Sequence, residues 1–207
     1  MVNMSAMRLV LASNNAKKLG ELQALFAPLA IELVTQGSLG IPEAEEPYLT
    51  FVENALTKAR HAARAAGAAA IADDSGLCVD ALKGAPGVLS ARYATLFGQP
   101  KSDDDNNRVL LDKMQGHADR RARFVSALVA VREADDPEPL IAFGRWNGEL
   151  LRERAGEGGF GYDPLMFIPS LGRSVAQLSA DEKNRVSHRA IASQQMLALM
   201  REVWHLG

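Results

Sequence analysis

Short apolar runs alternate with helix-like segments along the first part of the chain, and this order limits the fold more than any other feature. Residues 8–12 and 31–34 have the length and composition of buried strands. Between them, residues 16–26 place leucines and Phe26 on one helical face, and Pro28 closes the segment. Because a helix between two strands covers one face of a sheet, we predict an α/β fold.

Two helix starts carry reciprocal capping signals. Thr50 and Glu53 form a Thr-x-x-Glu box before an alanine-rich segment that Gly67 ends. Ser179 and Glu182 repeat the same spacing farther along the chain. In such a box each side chain satisfies a backbone amide of the first turn, so we predict one long and one short helix at these positions.

The second half of the chain predicts antiparallel pairing. Residues 121–132 and 140–146 are predicted strands, and the segment 135–139 between them is typical of a hairpin turn. A strand at 68–72 and an extended segment at 77–82 precede them. We therefore expect a mixed sheet rather than a purely parallel one. Further helices are predicted at residues 103–114 and after His188.

The composition excludes several classes of protein. The chain has 207 residues, 47% of them apolar and 23% charged, which is typical of a globular protein. This length, without a clear boundary, predicts a single domain over residues 1–207. The net charge of −2 argues against a general nucleic-acid binder, which usually carries a basic excess. The lone Cys78 excludes a disulfide framework or a cysteine metal cluster within the chain.

Targeting signals are also missing from the sequence. No apolar stretch approaches the roughly 18 residues that a membrane-spanning helix needs. Residues 1–7 lack the long apolar region of a signal peptide, and we expect them to extend ahead of the first strand. The protein is therefore expected to be cytoplasmic, with no membrane partner.

Small polar residues and lysines separate the first predicted strand from the first helix, in the sequence Ser13-Asn14-Asn15-Ala16-Lys17-Lys18. Backbone amides at a helix N-terminus bind anions, and lysines one turn later reach the same anion. An ordinary N-cap with solvated lysines explains the same residues. The segment is not a P-loop, because the Gly-x-x-x-x-Gly-Lys spacing is absent.

Two adjacent carboxylates, Asp73 and Asp74, follow an apolar run and precede Ser75-Gly76. Such carboxylates repel each other and resist burial without a cation. Mg²⁺ resolves this conflict, since it takes oxygen ligands and bridges substrate phosphates. Because successive side chains on a strand point to opposite faces, Asp73 and Asp74 are expected to have different roles. A solvated Asp-Ser-Gly turn is the alternative.

A second group of carboxylates lies in the loop before the capped helix. Glu43, Glu45 and Glu46 offer further oxygen ligands close in sequence to that helix. Acidic runs are usually only solvated, and on their own these residues indicate no more than that.

Glycine, aromatic and polar residues combine in the C-terminal half. Glycines in the segment 158–164 let a backbone approach a ligand closely, and Phe160 and Tyr162 offer flat faces for a base. The alternative is a tight turn followed by an ordinary helix start, with Ser187 as the cap and His188 exposed. The residues with charged or directional hydrogen-bonding groups are Asp163, Lys183, His188 and Arg189.

In this order, the motifs resemble those of the inosine/xanthosine triphosphate pyrophosphatase family, bacterial type. The resemblance runs from about Leu9 to the C-terminal helix, and the ordered set is far more specific than any one string. One departure is Asn14, where many members have glycine, although asparagine also tolerates positive φ. The matching strings are Ser13-Asn14-Asn15 with Lys18, Ala44-Glu45-Glu46, Thr50-Phe51-x-Glu53-Asn54-Ala55, Ala72-Asp73-Asp74-Ser75-Gly76-Leu77, Gly84-Ala85-Pro86-Gly87, Ser90-Ala91-Arg92-Tyr93, Gly158-Gly159-Phe160-Gly161-Tyr162-Asp163-Pro164 and Ser187-His188-Arg189.

The resemblance implies a mixed, elongated, twisted sheet with flanking helices that form two lobes around a central cleft, in a homodimer. It implies Mg²⁺-dependent hydrolysis of the α–β phosphoanhydride of the purine nucleoside triphosphates ITP, dITP and XTP, to the monophosphate and pyrophosphate. Asp74 matches the family's proton acceptor and, with Glu45, its metal ligands, while Glu46 and Asp73 lie nearby in sequence. Phosphate and ribose contacts are matched by Ser13, Asn14, Asn15, Lys18 and Ser75, and substrate contacts, mostly to the base, by Phe160, Gly161, Tyr162, Asp163, Lys183, His188 and Arg189.

Selectivity is expected to come from position 6 of the base. Inosine and xanthosine carry a hydrogen-bond acceptor there, whereas adenosine carries an NH₂ donor. A buried donor left unpaired costs about 1–3 kcal/mol, which gives roughly 10- to 100-fold discrimination per contact. Phe160 is expected to stack on the purine, and His188 and Arg189 to lie at its O6 edge.

Two other functions fit parts of the pattern. A nucleotide-binding regulator of the same fold would keep the base pocket and lose the metal carboxylates, whereas this chain has both Glu45 and Asp74. A pyrophosphatase of related fold acting on other modified nucleotides is disfavoured by the Ser-His-Arg and Phe-Gly-Tyr-Asp strings. Pyrophosphate release from a panel of nucleotides, with and without Mg²⁺, separates the three functions.

Overall fold

A computed structural model describes residues 7–29 and 31–206, which form seven strands and five α-helices. The strands are β1 (Met7–Leu11), β2 (Ile31–Thr35), β3 (Ala70–Val79), β4 (Arg121–Val131), β5 (Leu140–Leu150), β6 (Met166–Ile168) and β7 (Arg173–Ser174). The helices are α1 (Ala16–Phe26), α2 (Phe51–Ala66), α3 (Asp103–Lys113), α4 (Ala180–Val186) and α5 (His188–Val203).

The strands lie in one sheet, in the order β2-β1-β3-β4-β5-β6-β7. Strand β1 pairs parallel with both β2 and β3, whereas β6 pairs antiparallel with β5 and β7. The prediction of a mixed sheet with flanking helices in an α/β fold is therefore confirmed.

Local capping determines where the helices begin and end. The Asn15 side chain accepts hydrogen bonds from two amides in the first turn of α1. Gly67 ends α2 in the left-handed conformation, at φ 60°. At the start of α2, the Thr50 hydroxyl accepts from the Glu53 amide, as predicted. The Glu53 carboxylate accepts from that same hydroxyl, which differs from the predicted bond to a backbone amide. At the start of α4, the second predicted box has both of its hydrogen bonds.

Strand β3 differs from its prediction. The strand and the extended segment expected on either side of Asp73-Asp74-Ser75-Gly76 form one uninterrupted strand of 10 residues. The polar string resembles a turn in sequence, but cations elsewhere in the fold pair with both carboxylates, so no turn is needed. The aspartates consequently lie in the middle of a strand rather than at its end.

The contacts divide the chain into two compact units, of which the first comprises residues 1–74, 126–144 and 189–207. Alternation along its strands builds two hydrophobic cores, one on each face of the sheet. In β1, Leu9 and Leu11 join one core with residues of α1 and α5, while Val10 joins the other with the alanines of α2. Both faces of the sheet in this unit are therefore covered by helices.

The second unit comprises residues 75–125 and 145–188. Its core contains Phe124, Trp146, Tyr162 and Met166. It also includes a 3₁₀ segment, Gly87–Phe97, and the short strands β6 and β7, which were not predicted because such short pieces carry little periodicity. The single domain over residues 1–207 stays a prediction.

Two expectations concern the chain terminus and membranes. Met7 begins β1, and residues 1–6 of the expected N-terminal extension lie outside the described residues. Among the helices that the structure describes, none combines the length and the hydropathy that crossing a bilayer requires.

Candidate functional site

Asp73 and Asp74 occupy the middle of β3, and each has its own set of partners. Asp73 is bonded by Lys18 of α1 and Arg189 of α5, whereas Asp74 is bonded by Lys58 of α2. These helices belong to the cores on opposite faces of the first unit's sheet. The separation follows from the alternation of side chains along a strand.

Asp73 is a buried carboxylate in a network of cations. It is 1% exposed and contacts Lys18 Nζ at 2.9 Å, Arg189 Nη2 at 3.2 Å and Ser126 Oγ at 2.6 Å. Burial raises the pKa of Asp73, but Arg189, Lys18 and the Ser126 hydroxyl outweigh burial and hold the pKa well below its ordinary value. Asp73 is therefore a fixed negative charge.

Asp74 has the opposite electrostatic character. It is 6% exposed, its Oδ1 accepts from Lys58 Nζ at 3.2 Å, and its buried Oδ2 has no hydrogen-bond partner among the described residues. Burial raises the pKa of Asp74 above its ordinary value, although Lys58 opposes that shift. A buried, unsatisfied carboxylate oxygen is costly, which makes Asp74 suited to receive a proton or a cation.

Lys58 also connects Asp74 to the acidic loop. Its Nζ lies 2.6 Å from a Glu46 carboxylate oxygen and 3.1 Å from the backbone oxygen of Asp73. Burial lowers the pKa of Lys58, but Asp74 and Glu46 outweigh burial and raise it, so the lysine stays charged.

The neighbouring Glu45 does not join this group. It is exposed and makes no hydrogen bond or ion pair with any part of the chain that the structure describes. The sequence prediction paired Glu45 with Asp74, whereas the observed contacts bring Glu46 to the same lysine as Asp74. Of the two, only Glu46 contacts Lys58 in this structure, and Glu45 as a metal ligand stays a prediction.

The polar segment before α1 is an N-cap. Asn15 Oδ1 accepts from the amides of Lys17 and Lys18, and Ser13 Oγ accepts from the amide of Asn15. Asn14 Nδ2 donates weakly to Glu43 Oε1 at 3.4 Å. Two of the backbone amides that were predicted to bind an anion therefore donate to the Asn15 side chain instead. Binding of an anion here depends on the side chains of the segment, including that of Lys18. Ser75 follows Asp74 directly in β3.

In the second unit, the glycine-rich segment forms a tight turn around a buried ion pair. Lys183 Nζ lies 2.9 Å from Asp163 Oδ2 and 4.4 Å from the centroid of the Phe160 ring. The same Asp163 oxygen accepts from the Phe160 amide at 3.0 Å. Gly159 has φ 72°, and a Cβ there would overlap the Asp163 carboxylate, so the turn requires glycine.

Tyr162 lies in the hydrophobic core of this unit and not on the exposed surface of the turn. It is 4% exposed, and its hydroxyl donates to the backbone oxygen of Ser90 at 2.8 Å. The prediction that Tyr162 offers a face for a base is therefore wrong, because packing covers the ring. Gly161, beside it, bonds to α3 through both of its backbone polar atoms.

His188 and Arg189 are adjacent in sequence but lie in different units. His188 is 5% exposed, and its ring stacks on Phe124, with centroids 5.0 Å apart and planes 25° apart. The Trp146 ring lies farther away, with its centroid 6.5 Å from that of the His188 ring and an angle of 20° between the two planes. His188 is therefore not the exposed residue of an ordinary helix start.

Arg189 is fully buried in the first unit. Its guanidinium donates to Asp73 and, through a very short contact, to Glu21 of α1. Burial lowers the pKa of Arg189, but Asp73 and Glu21 outweigh burial and raise it. The expected place of Arg189, at the edge of a purine beside His188, differs from this arrangement, in which buried carboxylates hold the guanidinium.

Several functional candidates were not predicted from the sequence. Lys58 had a detectable signal, since it follows Asn54 by one helical turn on the buried, alanine-rich face of α2. Glu21 and Ser126 had none, because their partners are distant in sequence. Phe124 and Trp146 carried only the ordinary signal of core residues.

Comparisons with known proteins agree over nearly the whole chain. The model of the Ham1 family matches residues 9–199. The chain is 70% identical over 207 residues to the "dITP/XTP pyrophosphatase" of Methylibium petroleiphilum, which covers 96% of this chain and 99% of that protein. Identity to the protein of the same name from Leptothrix cholodnii is 65% over 212 residues, which covers 97% of this chain and 100% of that protein. Among solved structures, a HAM1 protein from Coxiella burnetii is 43% identical, with a TM-score of 0.88, covering 95% of this chain and 100% of that chain. The resemblance stated from the motifs is therefore confirmed, and the chain belongs to the Ham1 family.

Proposed function

We propose that this protein hydrolyses ITP, dITP and XTP at the α–β phosphoanhydride and releases pyrophosphate and the nucleoside monophosphate. The observation that carries the proposal is the buried carboxylate of Asp74, which has one oxygen on Lys58 and one without a hydrogen-bond partner among the described residues. The names of its relatives, "dITP/XTP pyrophosphatase", support the choice of substrate.

A divalent cation, with Mg²⁺ as our proposal, fits the carboxylates of this unit. Asp74 and Glu46 would hold the ion through hard oxygen ligands, and Asp74 Oδ2 has no hydrogen-bond partner among the described residues. The described residues contain no group of three or more His, Cys, Asp or Glu arranged to hold a metal alone. That fits Mg²⁺, which usually binds through one or two carboxylates and completes its ligands with waters and substrate phosphates. When bound, the ion offsets the charge of the triphosphate.

The protein's own residues accept the proton and bind the phosphates and the ribose. Asp74 accepts a proton from the water that attacks the α-phosphorus, and the bond to the leaving pyrophosphate breaks with its electron pair on the pyrophosphate oxygen. Burial raises the pKa of the metal-free Asp74 carboxyl group, which favours uptake of a proton there. Lys18, Ser13, Asn14, Asn15 and Ser75 are the proposed phosphate and ribose contacts.

Base recognition is assigned to the turn and the stacked histidine of the second unit. The Phe160 ring, which contacts Lys183, is the proposed stacking surface for the purine. Gly161, Asp163 and His188 are the proposed groups at the edges of the base. With Arg189 held by carboxylates, and the Phe160 and Gly161 amides bonded to Asp163 and Asp103, His188 is the preferred donor to O6.

The assembly and location of the protein are further proposals. The family resemblance implies a homodimer, which sedimentation of the purified protein tests. We propose a cytoplasmic location and no nucleic-acid or membrane partner; the net charge of −2 supports the absence of a nucleic-acid partner.

The test is pyrophosphate release from ITP, dITP, XTP, GTP and ATP, with EDTA and with added Mg²⁺. We expect release from the first three, loss of activity in EDTA and recovery with Mg²⁺. Binding of ITP without pyrophosphate release would indicate a regulator, and faster release from other modified nucleotides would reject the substrate assignment.

The ligand assignment has a matched pair of variants. Glu46→Gln should raise the Mg²⁺ concentration for half-maximal activity about tenfold, the equivalent of about 1.4 kcal/mol of metal binding. Glu45→Gln should leave that concentration unchanged if the observed contacts persist in the enzyme. The reverse result would restore Glu45 as the ligand.

A further inference from the structure

Helix α3 holds the turn that we assign to base recognition, through both polar backbone atoms of Gly161. The Gly161 amide donates to Asp103 Oδ2 at 2.8 Å, and the Gly161 oxygen accepts from Asn107 Nδ2 at 2.8 Å. Asp103 and Asn107 lie one helical turn apart, so both reach the same peptide. All these residues belong to the second unit.

Asn107 is chemically specific for this position. It is 1% exposed, and its Nδ2 also donates to the Asp103 backbone oxygen at 2.7 Å. Both hydrogens of the amide group are therefore bonded to carbonyl oxygens. Aspartate, of nearly the same shape, would present an oxygen to those two acceptors and lose both bonds.

The bond from Gly161 to helix α3 also fixes the backbone of Phe160. Its own amide donates to Asp163, and the next amide, that of Gly161, donates to Asp103. The two peptides that flank Phe160 are thus fixed by two carboxylates. The backbone of Phe160, and with it the direction of the ring that contacts Lys183, is set from α3 as well as from the turn itself.

We infer that Asp103 and Asn107 are positioning residues for nucleobase recognition, which they influence by fixing Gly161 and thereby Phe160. The inference rests on the proposed function of the turn. It extends that function to residues outside the turn that do not touch the base.

The chain supplies a matched control in the adjacent Asn106. This side chain is 2% exposed and also bonds two backbone atoms, accepting from the Ala94 amide at 2.8 Å and donating to the Ala91 oxygen at 3.2 Å. Its bonds hold the 3₁₀ segment Gly87–Phe97 and not the turn. Removal of either side chain should cost comparable stability, but only Asn107 should affect recognition.

The experiment compares Asn107→Ala, Asn106→Ala, Asp103→Ala and wild type in kcat and KM for ITP, XTP and ATP. For Asn107→Ala and Asp103→Ala, we expect KM for ITP, XTP and ATP to rise together by up to about tenfold with kcat retained, because a misplaced stacking ring weakens binding of every base. Asn106→Ala should keep the wild-type KM at a similar loss of Tm. Asp103→Asn, which retains an acceptor, should recover most of the wild-type KM.

Exchange of the Gly161 amide, followed by NMR, tests the contact without any assay of activity. We expect faster exchange in Asn107→Ala and Asp103→Ala and unchanged exchange in Asn106→Ala. Asp103 is exposed, so its variant should fold even if Asn107→Ala does not. Unchanged KM values for the three nucleotides in a folded variant with faster exchange would overturn the inference. Wild type that is inactive on ITP and XTP would instead reject the proposed function, and the recognition role with it.

Discussion

The two candidate clusters hold their functional groups in different ways. In the first unit, Asp73 and Asp74 are charges on a central strand, kept in place by Lys18, Arg189 and Lys58. In the second unit, the turn around Phe160 encloses one buried ion pair, and its backbone is held by bonds to main-chain atoms. A substitution at either aspartate of the first cluster changes a charge balance, whereas loss of a main-chain bond in the turn changes a geometry.

This difference predicts how each cluster responds to substitution. Charges taken out of water are tolerated only while their partners remain, because an uncompensated buried ion is strongly destabilising. Loss of a single hydrogen bond to the backbone costs less stability than loss of one partner of a buried ion pair. The turn should therefore change its conformation when such a bond is lost, before the protein unfolds. We therefore expect stability and turnover to respond in the first unit, and recognition to respond in the second.

The largest effect is expected from Arg189→Ala. It leaves Asp73 and Glu21 without their shared buried cation, which should cost about 3–5 kcal/mol of unfolding free energy in urea titrations. Activity towards ITP and ATP should fall by the same factor, because the arginine acts through Asp73. Arg189→Lys is the control that keeps the charge. A loss confined to ITP and XTP would instead place Arg189 at the edge of the base.

Asp74→Asn should lower kcat at saturating Mg²⁺ by at least about 100-fold, since the amide cannot accept the proton. Stability should hardly change, because burial already disfavours the charged form of Asp74 and Lys58 keeps Glu46. The matched Asp73→Asn should lose stability, since its pKa is held low by its cations. Wild-type turnover in Asp74→Asn would remove this residue from the mechanism.

Phe160→Ala tests the second cluster. Stacking contributes about 1–3 kcal/mol per base and does not depend on which base is present. KM should therefore rise about tenfold or more for both ITP and ATP, with their ratio nearly intact. Steady-state kinetics on the two nucleotides check this, and a changed ratio would mean that Phe160 itself discriminates between the bases.

The smallest effect is expected from Asp136→Asn, a carboxylate of the first unit with no proposed catalytic role. Hydrogen bonds from Arg132 hold the pKa of Asp136 at about 2, below the ordinary 3.8. A lowered folded-state pKa contributes stability at neutral pH that is lost as pH falls from about 4 towards 2. Arg132 is half exposed, so the contribution should be about 1 kcal/mol or less. Urea unfolding of both proteins should show a difference at pH 7 that is smaller at pH 3 and vanishes as pH falls through about 2.

Sequence analysis succeeded where the physics is local. Asn15, Thr50 and Gly67 mark the ends of α1 and α2 because capping involves residues within one turn. The mixed sheet followed from the order of strands. Strand β3 was divided wrongly, because the cations that neutralise Asp73 and Asp74 come from residues distant in sequence.

The same distinction applies to the candidate site. The separate partners of Asp73 and Asp74 were predictable, because alternation on a strand is local. The partnership of Arg189 with Asp73 spans 116 positions in the chain, and nothing near Arg189 indicates it. Tyr162 looks like a stacking residue in sequence, but tertiary packing puts its ring in the core.

Strand β3 also limits how this protein can vary in evolution. Substitutions along it exchange one side chain at a time, whereas an insertion or deletion of one residue before Asp73 reverses the facing of every later position. Asp74 would then face α1 and α5, Asp73 would face α2, and small and large apolar side chains would exchange cores. Lineages of this protein should therefore tolerate changes of length in loops and keep the number of residues from Ala70 to Asp74 invariant.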